Sequence, residues 1–138
     1  MKQYTFFMLS LLICLVAIGC GKNYRLTGKV TFDDGEPATN GTVILQTGNF
    51  VARGEIKPDG SYIVSSEGTN DGLPSGEYKV SVQGIFRAPP PAAPGQMMPP
   101  LPVLVCDPKY TDPETSGLTC KVPAPGNKFD IVLERRKD

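Results

Sequence analysis

Glycine and proline cut this chain into pieces too short for long helices. The 138 residues include 15 glycines and 14 prolines, and few of the Leu, Ala and Glu residues fall in helical periods. In a helix interior glycine costs about 1 kcal/mol and proline about 3 kcal/mol relative to alanine. Short extended segments are what remains, and the class they define is all-β.

Between the breakers the sequence alternates with a period of two. Tyr24, Leu26, Gly28, Val30 and Phe32 fall on one side of a first strand and Arg25, Thr27, Lys29 and Thr31 on the other, as in a half-buried strand. Six more strands are expected over Gly41 to Thr47, Val51 to Lys57, Ser61 to Ser65, Gly76 to Val82, Leu118 to Val122 and Lys128 to Leu133. Pro58-Asp59-Gly60 presets a turn and predicts a hairpin between the third and fourth of these. With about seven strands and no helix to cover a sheet, the apolar faces must bury one another, which predicts a β-sandwich. Asp33, Asp34, Glu36, Asp59, Asp71 and Asp112 stand beside glycine or proline in separate turns. They lack the regular spacing of a calcium loop, so they are read as turn-formers.

The first 20 residues follow another logic. Lys2 precedes an apolar run from Phe6 to Val16, and Ala17-Ile18-Gly19 leads directly to Cys20. A basic start, an apolar segment and small residues at the cleavage point mark an export leader. With cysteine at the first mature position, the order resembles a bacterial lipoprotein signal, although Ala17 stands where that motif usually carries leucine. The expected organisation is a helical signal segment over 1–19, a lipidated tether over 20–23 and a single β-sandwich domain over 24–138. An ordinary cleaved signal and an uncleaved anchor are the alternatives. On the lipoprotein reading Cys20 takes a diacylglyceryl group and a fatty acyl chain such as palmitate. Three extended residues reach about 10 Å, so the domain would sit close to its membrane. Gly21, in place of the aspartate that retains enteric lipoproteins at the inner membrane, points to the outer membrane.

Charge and composition then exclude function classes. The whole chain carries 14 basic and 14 acidic residues; without Lys2 the mature part has 13 and 14, one net negative charge. So neutral a domain lacks the clustered cations that nucleic acid requires, and the run Arg135-Arg136-Lys137 reads as a solvated C-terminus. No histidine occurs. That removes Ser-His and Cys-His nucleophile pairs and ordinary catalytic zinc sites, so no catalytic residue, metal or cofactor is assigned. Thr115-Ser116-Gly117 offers hydroxyls without a base, and loop-capping hydrogen bonds are their expected use. Cys14 belongs to the leader and Cys20 to the lipid, leaving Cys106 and Cys120. In an exported protein such a pair is expected to form a disulfide, closing a loop of about 15 residues worth about 3 kcal/mol; two buried free thiols are the alternative.

One stretch resists strand formation. Residues 88–102 contain Pro89-Pro90-Pro91, Pro94-Gly95, Met97-Met98, Pro99-Pro100 and Pro102. Proline at this density blocks ladder pairing and favours extended polyproline or disorder. Such a stretch is either a surface loop or a preformed ligand with adaptable methionine contacts. Pro89, Pro90, Pro91, Met97, Met98, Pro99 and Pro100 are therefore the candidate partner-binding residues.

The run from Leu26 to Phe32, the turn Gly35-Glu36-Pro37-Ala38, Gly41-Thr42-Val43 and Pro58-Asp59-Gly60-Ser61-Tyr62 resembles the start of transthyretin-like modules of the carboxypeptidase regulatory-like superfamily. Gly76 to Val82 is similar to that family's next strand. The segments Lys109 to Thr119 and Asn127 to Leu133 are similar to the close of small exported lipoproteins of planctomycete-type bacteria. The resemblance implies a transthyretin-like (Ig-like) sandwich and an accessory role without catalytic residues; the Cys106/Cys120 pair is not part of the family pattern. The expected function is a non-catalytic, lipid-anchored cell-envelope module that engages protein partners. A carbohydrate-binding module is the alternative, weakened by the absence of tryptophan, and a histidine-independent envelope hydrolase is the third reading.

Overall fold

The computed structural model describes residues 21–66, 68, 71–98 and 100–137; the expected leader, Cys20 and Pro99 lie outside the described residues. Among the described residues nine strands are formed: β1 (Leu26–Phe32), β2 (Thr42–Thr47), β3 (Phe50–Glu55), β4 (Ser61–Val64), β5 (Gly76–Gln83), β6 (Phe86–Arg87), β7 (Val103–Leu104), β8 (Leu118–Val122) and β9 (Ile131–Leu133). Seven of them build an all-β sandwich. A three-stranded sheet ordered β4-β1-β9 packs against a four-stranded sheet ordered β3-β2-β5-β8, and β6 and β7 form a separate ribbon. These seven are the segments in which alternation predicts strands.

Alternation also selects the buried face. Leu26, Gly28, Val30 and Phe32 of β1 point inward while Lys29 is exposed. Val43 and Leu45 of β2, Tyr78, Val80 and Val82 of β5, and Ile131 and Leu133 of β9 complete the core between the sheets. Burying a Val, Leu or Ile side chain is worth about 1.5–3 kcal/mol. The turn carboxylates hold turns. Asp34 accepts from Glu36 N at 3.0 Å, Asp59 from Ser61 N at 3.0 Å and Asp112 from Glu114 N at 2.7 Å, each spanning two residues as an Asx turn does.

The hairpin expected around Pro58-Asp59-Gly60 is only half formed. Its turn closes, with Lys57 N donating to Ser61 O at 2.9 Å, and Arg53 and Ser65 exchange backbone bonds of 3.0 and 2.9 Å. Between those points the strands part, β3 pairing along its length with β2 and β4 with β1. This is a corner where the chain changes sheets. Gly54 permits it, since a Cβ there would stand 2.9 Å from Ile63 O.

A second close approach ties β1 to the end of the chain. Tyr62 on β4 faces Gly28 across the ladder, and its hydroxyl donates to Phe129 O just before β9. The bond passes over Gly28, where a Cβ would overlap Phe129 O and stand 2.7 Å from the tyrosine oxygen. Burial pushes the Tyr62 hydroxyl far above its ordinary pKa. It therefore stays a proton donor.

The Cys106–Cys120 disulfide is not formed; both cysteines are buried free thiols. Cys120 pairs with Tyr78 near the start of β5, whereas Val105, beside Cys106, donates to Ile85 O beyond the end of β5. Ile85 lies seven positions beyond Tyr78, roughly 20 Å at strand rise. A disulfide needs Cα atoms about 4.4–6.8 Å apart, so the two ends of the sandwich cannot be bridged. Both side chains serve as small apolar core groups, and burial pushes both thiols up in pKa. Both should thus resist a thiol reagent in the folded full chain. Denaturant alone should expose both; a requirement for reductant would contradict the structure.

Candidate functional site

One end of the sandwich carries an appendage. After β5 the chain turns at Gly84, buries Ile85, and runs out through β6 into residues 88–102, returning through β7. Phe86 pairs with Leu104 and Arg87 with Val103, and Asn40 Nδ2 donates to Phe86 O at 2.9 Å. The returning strand continues past Leu104. Asp107 N donates to Glu134 O at 3.0 Å and Arg136 N to Val105 O at 2.8 Å, with Cys106 bridged to Arg135. The base of the arm is thus a small three-stranded patch that includes the C-terminal segment.

At the tip Pro94-Gly95 makes a turn, with Gln96 N donating to Ala93 O and Ala93 N to Gln96 Oε1, each at 3.0 Å. The density of proline predicted the missing ladder. What it did not predict is a tip closed by its own hydrogen bonds. Met97 is 101% exposed, Met98 81% and Leu101 85%. Phe86 and Val103 at the base are also exposed, and Val132 of β9 is the sole further large apolar residue so exposed among the described residues.

Beneath the arm lies a groove of about 390 Å³, lined by segments 87–90 and 103–105 with Arg135 and Arg136. Of the sequence-predicted residues, Pro89 and Pro90 line it, while Pro91, Met97, Met98 and Pro100 lie on the arm outside it. No local pattern in the sequence places Arg87, Arg135 and Arg136 there. Of the basic run, Arg136 and Lys137 are exposed, as a solvated tail would be, whereas Arg135 is half-buried and bridged to Cys106. Arg135 Nε meets Asp34 Oδ2 and its Nη2 meets Glu36 Oε2, both at 2.5 Å, and its guanidinium lies 4.1 Å over the Phe32 ring. The Arg135 hydrogen bond holds the Asp34 carboxyl below its ordinary pKa. No carboxylate partner holds Arg87 or Arg136 among the described residues. The only hint of this cluster in the sequence was the run 135–137, because its pairing with 105–107 is long-range.

The hydroxyls of the 115–117 stretch are used locally. Thr115 Oγ1 donates to Lys109 O at 2.7 Å, and the buried Ser116 hydroxyl donates to Val80 O and accepts from Leu118 N at 3.2 Å. Among the described residues no group of three or more Cys, Asp or Glu could hold a metal ion.

The arm's position relative to Gly21, the first described residue, follows from β1. Tyr24 pairs with Leu73 at one pole, and Phe32 meets Arg135 at the other. Eight residues apart, they are about 25 Å apart at strand rise. The base of the arm therefore lies at the pole away from Gly21. No family model matches this chain, and no curated protein or solved structure does either.

Proposed function

We propose that this protein is a non-catalytic module of transthyretin-like type, lipid-anchored through Cys20 in a bacterial cell envelope and engaging protein partners through the arm 88–102. The observation that carries the reading is where apolar surface is left uncovered. Among the described residues, five of the six exposed large apolar side chains, Phe86, Met97, Met98, Leu101 and Val103, belong to the arm or its base. Exposed apolar surface gathered in one place marks interaction sites. A tether at the opposite pole would hold the arm away from the membrane that anchors the domain, where a partner can reach it. Methionine suits such a tip, being flexible and polarisable enough to adapt to a partner surface.

Replacing residues 88–102 with a short Asn-Gly turn tests this. The full chain and the shortened form would be crosslinked in membrane fractions, with a polysaccharide array run in parallel. The expected outcome is an unchanged melting temperature, since 88–102 adds nothing to the core, together with loss of specific protein crosslinks. Crosslinks that survive the replacement, or arm-dependent retention on a polysaccharide, would defeat the protein-partner reading.

A further inference from the structure

We infer that the groove under the arm is a recognition site for a short, extended acidic peptide segment, one that sets Asp or Glu beside aliphatic side chains. The inference deepens the protein-partner reading above and rests on it. Its basis is the uneven charge of the groove lining. A domain with nearly equal numbers of both signs places three arginines, and no carboxylate, around one cavity. Arg135 is already spent on Asp34 and Glu36, which fixes it as part of the wall. Arg87 and Arg136 have no such partner among the described residues, and both side chains are exposed. Arginine's planar fork binds carboxylates through two parallel hydrogen bonds. Two free guanidiniums are thus a reader for acidic side chains.

The rest of the lining is apolar: Ala88, Pro89, Pro90 and the 103–105 strand. At about 390 Å³ the groove falls in the range of sites that enclose a ligand, roughly 300–1,000 Å³. An occupant must therefore offer aliphatic groups as well as negative charge. An acidic polysaccharide offers charge without aliphatic side chains, and no aromatic ring lines the groove to stack a sugar. An anionic lipid surface would have to approach the pole away from Gly21. A peptide of alternating acidic and aliphatic residues meets both requirements.

The probe is a fluorescein-labelled Val-Glu-Val-Glu-Val peptide, titrated against the full chain by anisotropy, beside a Val-Gln-Val-Gln-Val peptide of the same shape. Saturable binding is expected for the glutamate peptide, at least about tenfold tighter than for the glutamine peptide. It should weaken by about tenfold in an Arg87→Gln/Arg136→Gln variant, and again on raising salt from about 50 to about 300 mM. Lys121→Gln on the outer face of β8 should leave binding unchanged. Both arginines are exposed, so the double variant should melt as the parent does. Equal binding of the two peptides, indifference to the double substitution, or no saturable binding would overturn the inference. So would preferential uptake of polyuronate or of anionic phospholipid vesicles. Failure here with arm-dependent crosslinks intact would discard the acidic-peptide chemistry and keep the protein-partner reading; loss of those crosslinks' arm dependence would remove that reading itself.

Discussion

Gly28→Ala is expected to destabilise the domain by about 3 kcal/mol, the upper end of what overpacking a core costs. The added methyl would overlap the carbonyl of Phe129 and crowd the Tyr62 hydroxyl at 2.7 Å. A side chain could swing away, but Phe129 is backbone, held by its N–H bond of 2.9 Å to Thr27 O. Relief therefore requires the segment entering β9 to lift off β1, and with it the tyrosine hydrogen bond is lost. Urea unfolding of the full chain measures the cost. Tyr62→Phe serves as the companion: it removes the hydroxyl alone, leaves Phe129 O short of a donor, and should cost about 1–3 kcal/mol. If Gly28→Ala melts within about 0.5 kcal/mol of the parent, the two segments do not pass as closely as described.

Leu45→Ala should cost about 2–5 kcal/mol. Leu45 is fully buried in β2, an inner strand of the four-stranded sheet, paired with Ala52 on one side and Val80 on the other. Ala52 is too small to fill the space, and Val80 is stiff at its branched Cβ. The cavity would then stay open. Val132→Ala provides the contrast. Its side chain is 59% exposed on the outer face of β9, between the buried Ile131 and Leu133. A change within about 0.5 kcal/mol is expected there, and the difference between the two midpoints tests the inward and outward assignment directly. Similar losses at both positions would mean that the outer face of β9 is covered.

Local pattern accounts for what could be read in advance. Leu26, Val30 and Phe32 are inward because alternate side chains of a strand share a face, and that rule needs no knowledge of the partner strand. Partner choice is another matter. β3 and β4 read as one hairpin because Pro58-Asp59-Gly60 closes a turn, yet the neighbours they take, β2 and β1, are chosen by the packing of two sheets. The two-residue strands β6 and β7 carry no local signal for a related reason. Phe86-Arg87 and Val103-Leu104 flank a proline-rich stretch, and only the ladder between them, supported by the segment 134–136, makes them strands.

The site divides in the same way. Pro89, Pro90, Met97 and Met98 stand out in composition, so the arm was visible as a chemical oddity. The arginines are not, because Arg87 and Arg136 lie 49 positions apart in sequence and reach one groove only through the segment 103–105 that lies between them. The cysteines show the converse error. Parity and an exported context suggested a bond, whereas the register of β5 puts Cys106 and Cys120 at opposite ends of the core. Counting thiols gave no account of distance.

The parallel pairing of β1 with β9 has a kinetic consequence. Val30 lies beside Ile131 and Lys29 N bonds Asp130 Oδ1, partners 101 positions apart. Long-range pairing of this kind slows folding, because the closing entropy must be met before the contact forms. As the chain is synthesised from its N-terminus, the first strand must wait for the residues up to Leu133 before one of its two neighbours exists. The β1 edge stays open throughout that interval, able to pair with whatever strand is nearby. The strand that shuts it, β9, is the last of the sandwich's strands in chain order.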